Sequence, residues 1–185
     1  IRNGVCDAVT GEIVLILELD CLVKLVAYSP DSRRIATVSD EGARVWDAVT
    51  GESLFSLKRS RLVDSVVWSP DGSRIATGSA GGVRVWDAVT GESLFSLKHS
   101  RLVKSVAWSP DGSRIATSST FDDVQVWDAV TGENVLSLKH DHRVESVAWS
   151  PDGSRIATVY DGGLWDVAAA NDENELSLKR EHEIY

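Results

Sequence analysis

The stretch Val83-Arg84-Val85-Trp86-Asp87-Ala88-Val89-Thr90-Gly91-Glu92 decides the fold of this 185-residue chain. Its second half, Asp-Ala-Val-Thr-Gly-Glu, occurs unchanged at 7–12, 47–52, 87–92 and 128–133. The preceding tryptophan recurs at Trp46, Trp86, Trp127 and Trp165, with spacings of 40, 41 and 38 residues. An internal period of about forty residues indicates an array of repeated supersecondary units.

A second repeated segment shows how each unit turns. Ser-Pro-Asp-Gly-Ser-Arg-Ile-Ala-Thr occurs at 69–77, 109–117 and 150–158, with a variant copy at 29–37. Proline followed by aspartate and glycine is typical of a type I turn, and all four prolines of the chain hold this one place. Between such turns lie only strand-length runs, four to each unit, and no helix-length periodic segment. The sequence therefore predicts an all-β fold built from stacked four-stranded units.

Composition narrows the class of protein. Hydrophobic residues make up 43% and charged residues 25%, as in ordinary globular domains. A net charge of −9 argues against whole-surface attraction to nucleic acid or to an anionic membrane. Two cysteines are too few for a disulfide-stapled secreted domain, and neither a leader peptide nor a membrane-spanning run is visible. We therefore expect a cytoplasmic, intracellular setting.

The Val-x-Val-Trp-Asp pattern at 83–87, followed by the Ser-Pro-Asp-Gly turn of the next unit, resembles the WD40 repeat of β-propellers. The resemblance implies blades of four strands, a to d from the propeller axis outwards, with the tryptophan closing strand c. It also implies a buried hydrogen-bond network of that tryptophan, a strand b threonine or serine, a histidine before strand a, and an aspartate in the b–c turn. Here the histidine remains only at His99 and His140, and Asp40, Asp122 and Asp161 are stand-ins for the aspartate.

The same resemblance divides the chain into units. The expected boundaries are a half-blade with strands c and d only, four full blades and a short tail: residues 1–18, 19–58, 59–98, 99–139, 140–179 and 180–185. A half-blade lacks the strands that complete its sheet. The sequence leaves open whether upstream blades of a longer chain or another copy complete the ring.

No catalytic, cofactor-binding or metal-binding residue is predicted. The pair His140 and His142 lacks the surrounding cysteines or carboxylates of a metal site, and the recurring serines belong to turns. Identical acids in every unit favour a folding role, because an active site is needed only once. The chain is therefore predicted not to be an enzyme.

Charge is the remaining functional signal. The resemblance places the a–b and c–d turns, with twelve acids in the repeated motifs, on one face, and the d–a and b–c loops on the other. The second face carries two basic loops beside the small turn Ala80-Gly81-Gly82. Their candidate partner-binding residues are Lys58, Arg59, Arg61, Lys98, His99 and Arg101. Arginine forks bind carboxylates and phosphates, so the predicted partner is a protein or an acidic or phosphorylated peptide.

The leading prediction is thus a non-catalytic scaffold for protein or peptide interaction. Two alternatives stay open at this level: a ligand-sensing repeat module of a larger signalling NTPase-type protein, and a lectin-like binder of glycans. An NTPase segment upstream would favour the first. Matching aromatic pockets between blades would favour the second.

Overall fold

A computed structural model describes residues 3–19, 21–57, 63–120, 124–140, 143–160 and 163–167, with the backbone alone for residue 3 and residues 163–167. Every regular element in these ranges is a β-strand, and all the pairings within the sheets are antiparallel. The strands form consecutive meandering sheets. The prediction of an all-β array of WD40-type blades is confirmed.

The strands follow the predicted order of units. The half-blade contains β1 (Asn3–Cys6) and β2 (Ile13–Leu17). Blade 1 contains β3 (Val23–Tyr28), β4 (Arg34–Ser39), β5 (Gly42–Asp47) and β6 (Ser53–Leu57). Blade 2 contains β7 (Val63–Trp68), β8 (Arg74–Ser79), β9 (Gly82–Asp87) and β10 (Ser93–Leu97). Blade 3 contains β11 (Val103–Trp108), β12 (Arg114–Ser119), β13 (Val124–Asp128) and β14 (Asn134–Leu138). Blade 4 contains β15 (Val144–Trp149), β16 (Ile156–Tyr160) and β17 (Gly163–Val167).

The turn between the first two strands of a blade is held by its own side chains. In blade 2 the Ser69 hydroxyl donates to Asp71 Oδ1 at 2.6 Å and accepts from the Arg74 backbone N–H at 2.9 Å. The Gly72 N–H donates to the Ser69 carbonyl at 2.9 Å, with Gly72 at φ 69°. Local side-chain bonds of this kind end a strand and start the next one. The same turn recurs in each blade.

The turn between the third and fourth strands is hydrogen-bonded to the turn just described. The Ala88 N–H donates to the Ser73 carbonyl at 2.9 Å, and blades 1 and 3 repeat this bond at Ala48 and Ala129. In blades 1 to 3 the a–b and c–d turns therefore lie together at one end of the blade, as predicted.

The cores lie between neighbouring blades rather than within one sheet. Ala36, Val38 and Val45 of blade 1 pack against Val66 and Trp68 of blade 2, all of them buried. Two similar cores join blade 2 to blade 3 and blade 3 to blade 4. Each of these blades therefore depends on its neighbour to bury its apolar face.

Blade 4 departs from this pattern in its third strand. In blades 1 and 2 the tryptophan of strand c lies opposite the isoleucine of strand b, as in the pair Ile75 and Trp86. In blade 4 Trp165 lies opposite Thr158, and Val167 lies opposite Ile156. The b–c turn has the same length as in blades 1 and 2, but one residue separates Gly163 from Trp165 where three separate Gly82 from Trp86, so the strand is out of register by two residues. The prediction that Trp165 is simply the fourth copy of this tryptophan is wrong in register, although Trp165 does lie in the third strand.

The boundaries at 18, 58, 98, 139 and 179 stay predictions. The fourth strand expected for blade 4 and the expected tail at 180–185 lie outside the described residues. In the ranges that the structure describes, no helix could span a lipid bilayer.

Candidate functional site

The candidate site is the loop that joins blade 2 to blade 3, together with the b–c turn of blade 2. The side chains of Lys98 and Arg101 are exposed on this loop. Lys58, Arg59 and Arg61, the other predicted site residues, lie outside the described residues.

His99 does not share the exposure of its neighbours. Only 8% of it is exposed, and its Nε2 lies 2.9 Å from Thr117 Oγ1. The Trp127 indole N–H donates to the same hydroxyl at 2.9 Å, and the rings of His99 and Trp127 meet edge to face at 5.4 Å. The prediction that His99 contacts a partner conflicts with this burial. Its side chain instead anchors the loop to blade 3.

The hydrogen bond between the strand c tryptophan and the strand b threonine recurs in blades 1 to 3, more regularly than the sequence indicated. Trp46 donates to Thr37 at 2.8 Å, and Trp86 donates to Thr77 at 2.9 Å. The expected contribution of Asp40 is wrong, because this side chain is exposed and pairs with Lys24. Blades 1 to 3 are therefore held by a hydrogen bond as well as by packing of the tryptophans.

The b–c turn of blade 2 lies directly beside the basic loop. Ala80 forms a β-bridge with Leu102, and a Cβ added at Gly82 would lie 2.2 Å from the Leu97 carbonyl oxygen. Only glycine permits this close approach at φ 121°. Around Gly81 nothing lies within 4 Å of an added Cβ, so the turn leaves open space at its tip.

The neighbouring turn has the opposite character. Blade 1 places Asp40 and Glu41 in its b–c turn, both exposed, with Lys24 bound to Asp40 and Arg44 Nη2 at 4.0 Å from Glu41. Blade 2 has small uncharged residues there. Among the described residues, the basic charge of Lys98 and Arg101 thus borders an uncharged turn rather than an acidic one.

The other end of the blades is acidic, and its carboxylates are held in the charged form. Backbone N–H groups of Thr90 and Val89 donate to Asp87 and lower its pKa. Hydroxyl groups of Ser69 and Ser73, with the Ser73 N–H, lower the pKa of Asp71 to about 2. The carboxylates of these turns are therefore negatively charged at neutral pH, opposite in sign to Lys98 and Arg101 at the other end of the blades.

No cluster of three or more potential metal ligands occurs in the described part of the chain. His140 binds the Leu138 carbonyl through Nδ1 at 2.9 Å and Thr158 Oγ1 through Nε2 at 3.1 Å. This is the structural role that the WD40 resemblance implied. His142 lies outside the described residues.

Sequence reasoning missed the arginines that join blades. Arg34 of blade 1 donates to the Ala88 carbonyl in the c–d turn of blade 2, and Arg74 donates to Ala129 of blade 3 at 2.5 Å. The repeated Arg-Ile-Ala-Thr segment was the available signal, because the arginine is as constant as the core residues after it. These bonds link blade 1 to blade 2 and blade 2 to blade 3.

Comparison with known families agrees with this architecture. Residues 6–131 match the model of the family described as eukaryotic translation initiation factor eIF2A, and residues 132–166 match the WD domain, G-beta repeat. No curated protein matches the chain. Since the first match covers about two thirds of the residues, the chain belongs to the WD40-like propeller family that the eIF2A model describes. Domains with WD40 repeats are generally non-catalytic scaffolds for protein interaction.

Proposed function

We propose that this propeller segment binds an acidic or phosphorylated peptide of a partner protein at the seam between blades 2 and 3. Lys98 and Arg101 are the described cations of the site, and Lys58, Arg59 and Arg61 are its predicted extension. The observation that carries the proposal is the anchored loop, in which buried His99 separates two exposed cations beside the open Gly81 turn.

Anchoring matters because a loop that is ordered before binding loses less conformational entropy when the peptide arrives. His99 is held by Thr117 of blade 3, and Leu102 is bridged to Ala80 of blade 2. The segment that bears Lys98 and Arg101 is thus fixed at both ends. An arginine in such a frame can offer two parallel N–H donors to a carboxylate or phosphate.

The charge of the rest of the molecule favours binding of an acidic peptide at the basic loop over binding elsewhere on the surface. The chain carries a net charge of −9, so most of its surface repels an acidic peptide. The acidic turns at the other end orient an approaching peptide towards the basic loop. Exposed charges are screened over about 8 Å at physiological ionic strength, and binding should therefore weaken strongly as salt is raised.

The test uses fluorescein-labelled acidic peptides, each made with serine and with phosphoserine, and measures fluorescence anisotropy. We expect the double variant Lys98→Glu/Arg101→Glu to weaken binding by at least about tenfold, as loss of a charge-assisted pair does. Lys139→Glu is the matched control, because Lys139 is exposed at the same place in blade 3. Unchanged affinity of the double variant, with the fold intact by circular dichroism, would refute the proposal.

A second pair of variants tests the predicted extension. Arg59→Glu with Arg101→Glu should abolish capture of the peptide if both basic loops contribute. Should Arg101→Glu alone have the full effect, the site is confined to the blade 2 and blade 3 seam. Full affinity in the pair would place the binding site elsewhere.

The match to the eIF2A family supports a setting for this partner, namely the machinery of translation initiation. The protein and its Lys98→Glu/Arg101→Glu variant can be added to a translation extract and followed through a sucrose gradient. Co-sedimentation of the unaltered protein alone with initiation complexes supports this setting. Equal distribution of both proteins contradicts it.

A further inference from the structure

The c–d turns repeat one hexapeptide, Asp-Ala-Val-Thr-Gly-Glu, and the structure shows what four of its six residues do. In blade 2 the Asp87 carboxylate accepts from two backbone N–H groups, and Ala88 is fully buried. The Thr90 hydroxyl accepts from the Glu92 N–H at 3.2 Å, and Gly91 adopts φ 71°. These four residues form the turn through side-chain bonds, burial and the freedom of glycine.

The other two residues of the hexapeptide, valine and glutamate, take part in the turn through their backbone. The Val89 N–H donates to Asp87 Oδ1, and the Glu92 carbonyl accepts from the Asp87 N–H at 2.9 Å. Both side chains are exposed. Valine is also an uncommon residue in a turn, where glycine, proline, asparagine, aspartate and serine dominate. The bonds of the turn thus do not select these two side chains, yet every copy of the hexapeptide has them.

These side chains form two rows across blades 1 to 3. The valine row consists of Val49, Val89 and Val130, which are 80%, 69% and 73% exposed. The glutamate row, also exposed, consists of Glu52, Glu92 and Glu133. A single exposed valine is ordinary, but the same valine at the same place in consecutive blades gives each blade the same apolar contact point.

The turns that carry the two rows are fixed in place. In blade 2 the Ala88 N–H donates to the Ser73 carbonyl of its own blade at 2.9 Å, and the Ala88 carbonyl accepts from Arg34 of blade 1. Gly91 lies so close to Phe55 of blade 1 that an added Cβ would be 2.6 Å from the ring. Blade 3 repeats these three contacts with its own residues. Because the turns are ordered before a partner arrives, binding to them loses less conformational entropy.

Charge decides which partner fits the two rows. The turns of blade 2 at this end have one arginine, Arg74, and three acids, Asp71, Asp87 and Glu92. Arg74 is half-buried, and its guanidinium donates to the Ala129 carbonyl at 2.5 Å. Serine hydroxyls and an N–H group that donate to Asp71 hold its pKa at about 2, so this carboxylate is charged at neutral pH. An apolar contact point beside excess negative charge fits a partner with both apolar and cationic side chains.

We infer that this end of the array binds a basic segment of a partner protein, with apolar side chains of the segment on the valine row and its lysines or arginines beside the glutamate row. The segment runs from blade to blade, because each turn offers one valine and one glutamate and several weak contacts along one chain reinforce each other. The surface lies at the opposite end of the blades from Lys98 and Arg101 and prefers the opposite charge. It is therefore independent of the peptide site proposed above.

Peptides that differ in one property at a time test the inference. Three fluorescein-labelled peptides of equal length repeat Lys-Leu-Ser, Lys-Ser-Ser or Glu-Leu-Ser, and fluorescence anisotropy measures their affinity for the unaltered protein. We expect the Lys-Leu-Ser peptide to bind at least about tenfold more tightly than either of the others, because it alone has both apolar and cationic groups. Equal affinity of the Lys-Leu-Ser and Lys-Ser-Ser peptides would overturn the inference, since it would show attraction between charges alone.

A triple variant tests the valine row. Val49→Thr/Val89→Thr/Val130→Thr keeps the branched shape of each side chain but replaces a methyl group by a hydroxyl, and should weaken binding of the Lys-Leu-Ser peptide at least about fivefold. Val135→Thr, at a 51% exposed position in β14 rather than in a turn, is the matched control and should leave the affinity unchanged. Full affinity in the triple variant, with its fold intact by circular dichroism, overturns the inference.

A second triple variant tests the glutamate row. Glu52→Gln/Glu92→Gln/Glu133→Gln leaves the backbone bonds of the turns in place and should weaken binding about tenfold and reduce its dependence on salt. An unchanged dependence on salt would contradict the pairing with this row. The Lys98→Glu/Arg101→Glu variant should bind the Lys-Leu-Ser peptide as the unaltered protein does, which separates this surface from the peptide site at the other end.

Discussion

Val26 and Val66 are the same residue at the same place in the innermost strand of consecutive blades, yet one is 63% exposed and the other 7%. Both lie opposite a threonine of strand b, Thr37 and Thr77 respectively. The difference comes from the neighbour, since blade 1 covers Val66, whereas the described strands β1 and β2 leave Val26 exposed. Burial in this molecule is therefore a property of blade pairs rather than of a single blade.

The largest expected effect is at the centre of an interior blade. Trp86 is 4% exposed and donates to Thr77 at 2.9 Å, so its removal loses both packing and a buried hydrogen bond. We expect Trp86→Ala to lower the free energy of unfolding by about 3–5 kcal/mol, as for other buried tryptophans. Urea denaturation followed by circular dichroism measures this. An unchanged midpoint would contradict the inter-blade packing described for blade 2.

A smaller effect sharpens the comparison between Val26 and Val66. Val66→Ala removes two buried methyl groups and should cost about 2 kcal/mol. Val26→Ala should cost about 0.5 kcal/mol or less, because surface substitutions have small effects. The urea midpoints of both variants measure the two costs. A Val26→Ala variant that is destabilised as much as Val66→Ala would contradict this difference in burial.

Much of the fold could be predicted from the sequence because the repeats encode it locally. The Ser-Pro-Asp-Gly turn and the Asp-Ala-Val-Thr-Gly-Glu turn each make their own hydrogen bonds, as at Ser69 and Asp87, and so fix the ends of the strands without help from distant residues. The position of the tryptophan in strand c also follows from the period of about forty residues at which the unit repeats. These elements depend on residues within one unit.

The features that sequence reasoning missed depend on contacts between units. The burial of His99 needs Thr117 and Trp127 of the next blade, and the arginine bonds join Arg34 to a carbonyl 54 residues away. The register of β17 is a different case, because it follows from the loss of two residues between Gly163 and Trp165 within the unit itself. Lys98 and Arg101 thus stay predicted site residues, whereas the sequence did not show that His99 anchors their loop.

An effect of opposite sign, and smaller than those of Trp86 and Val66, concerns the turn of blade 1, where Ser32 stands in place of the glycine found at Gly72, Gly112 and Gly153. Ser32 adopts φ 59°, in the left-handed region, and the three glycines lie at 69–72°. A side chain in that conformation costs about 1–2 kcal/mol, part of which is offset because glycine has more freedom in the unfolded chain. Ser32→Gly should therefore stabilise the protein by about 0.5–1 kcal/mol, seen as a higher urea midpoint. Ser32→Ala keeps the strain and should give no such gain. Equal midpoints for both variants would show that this turn stores no strain.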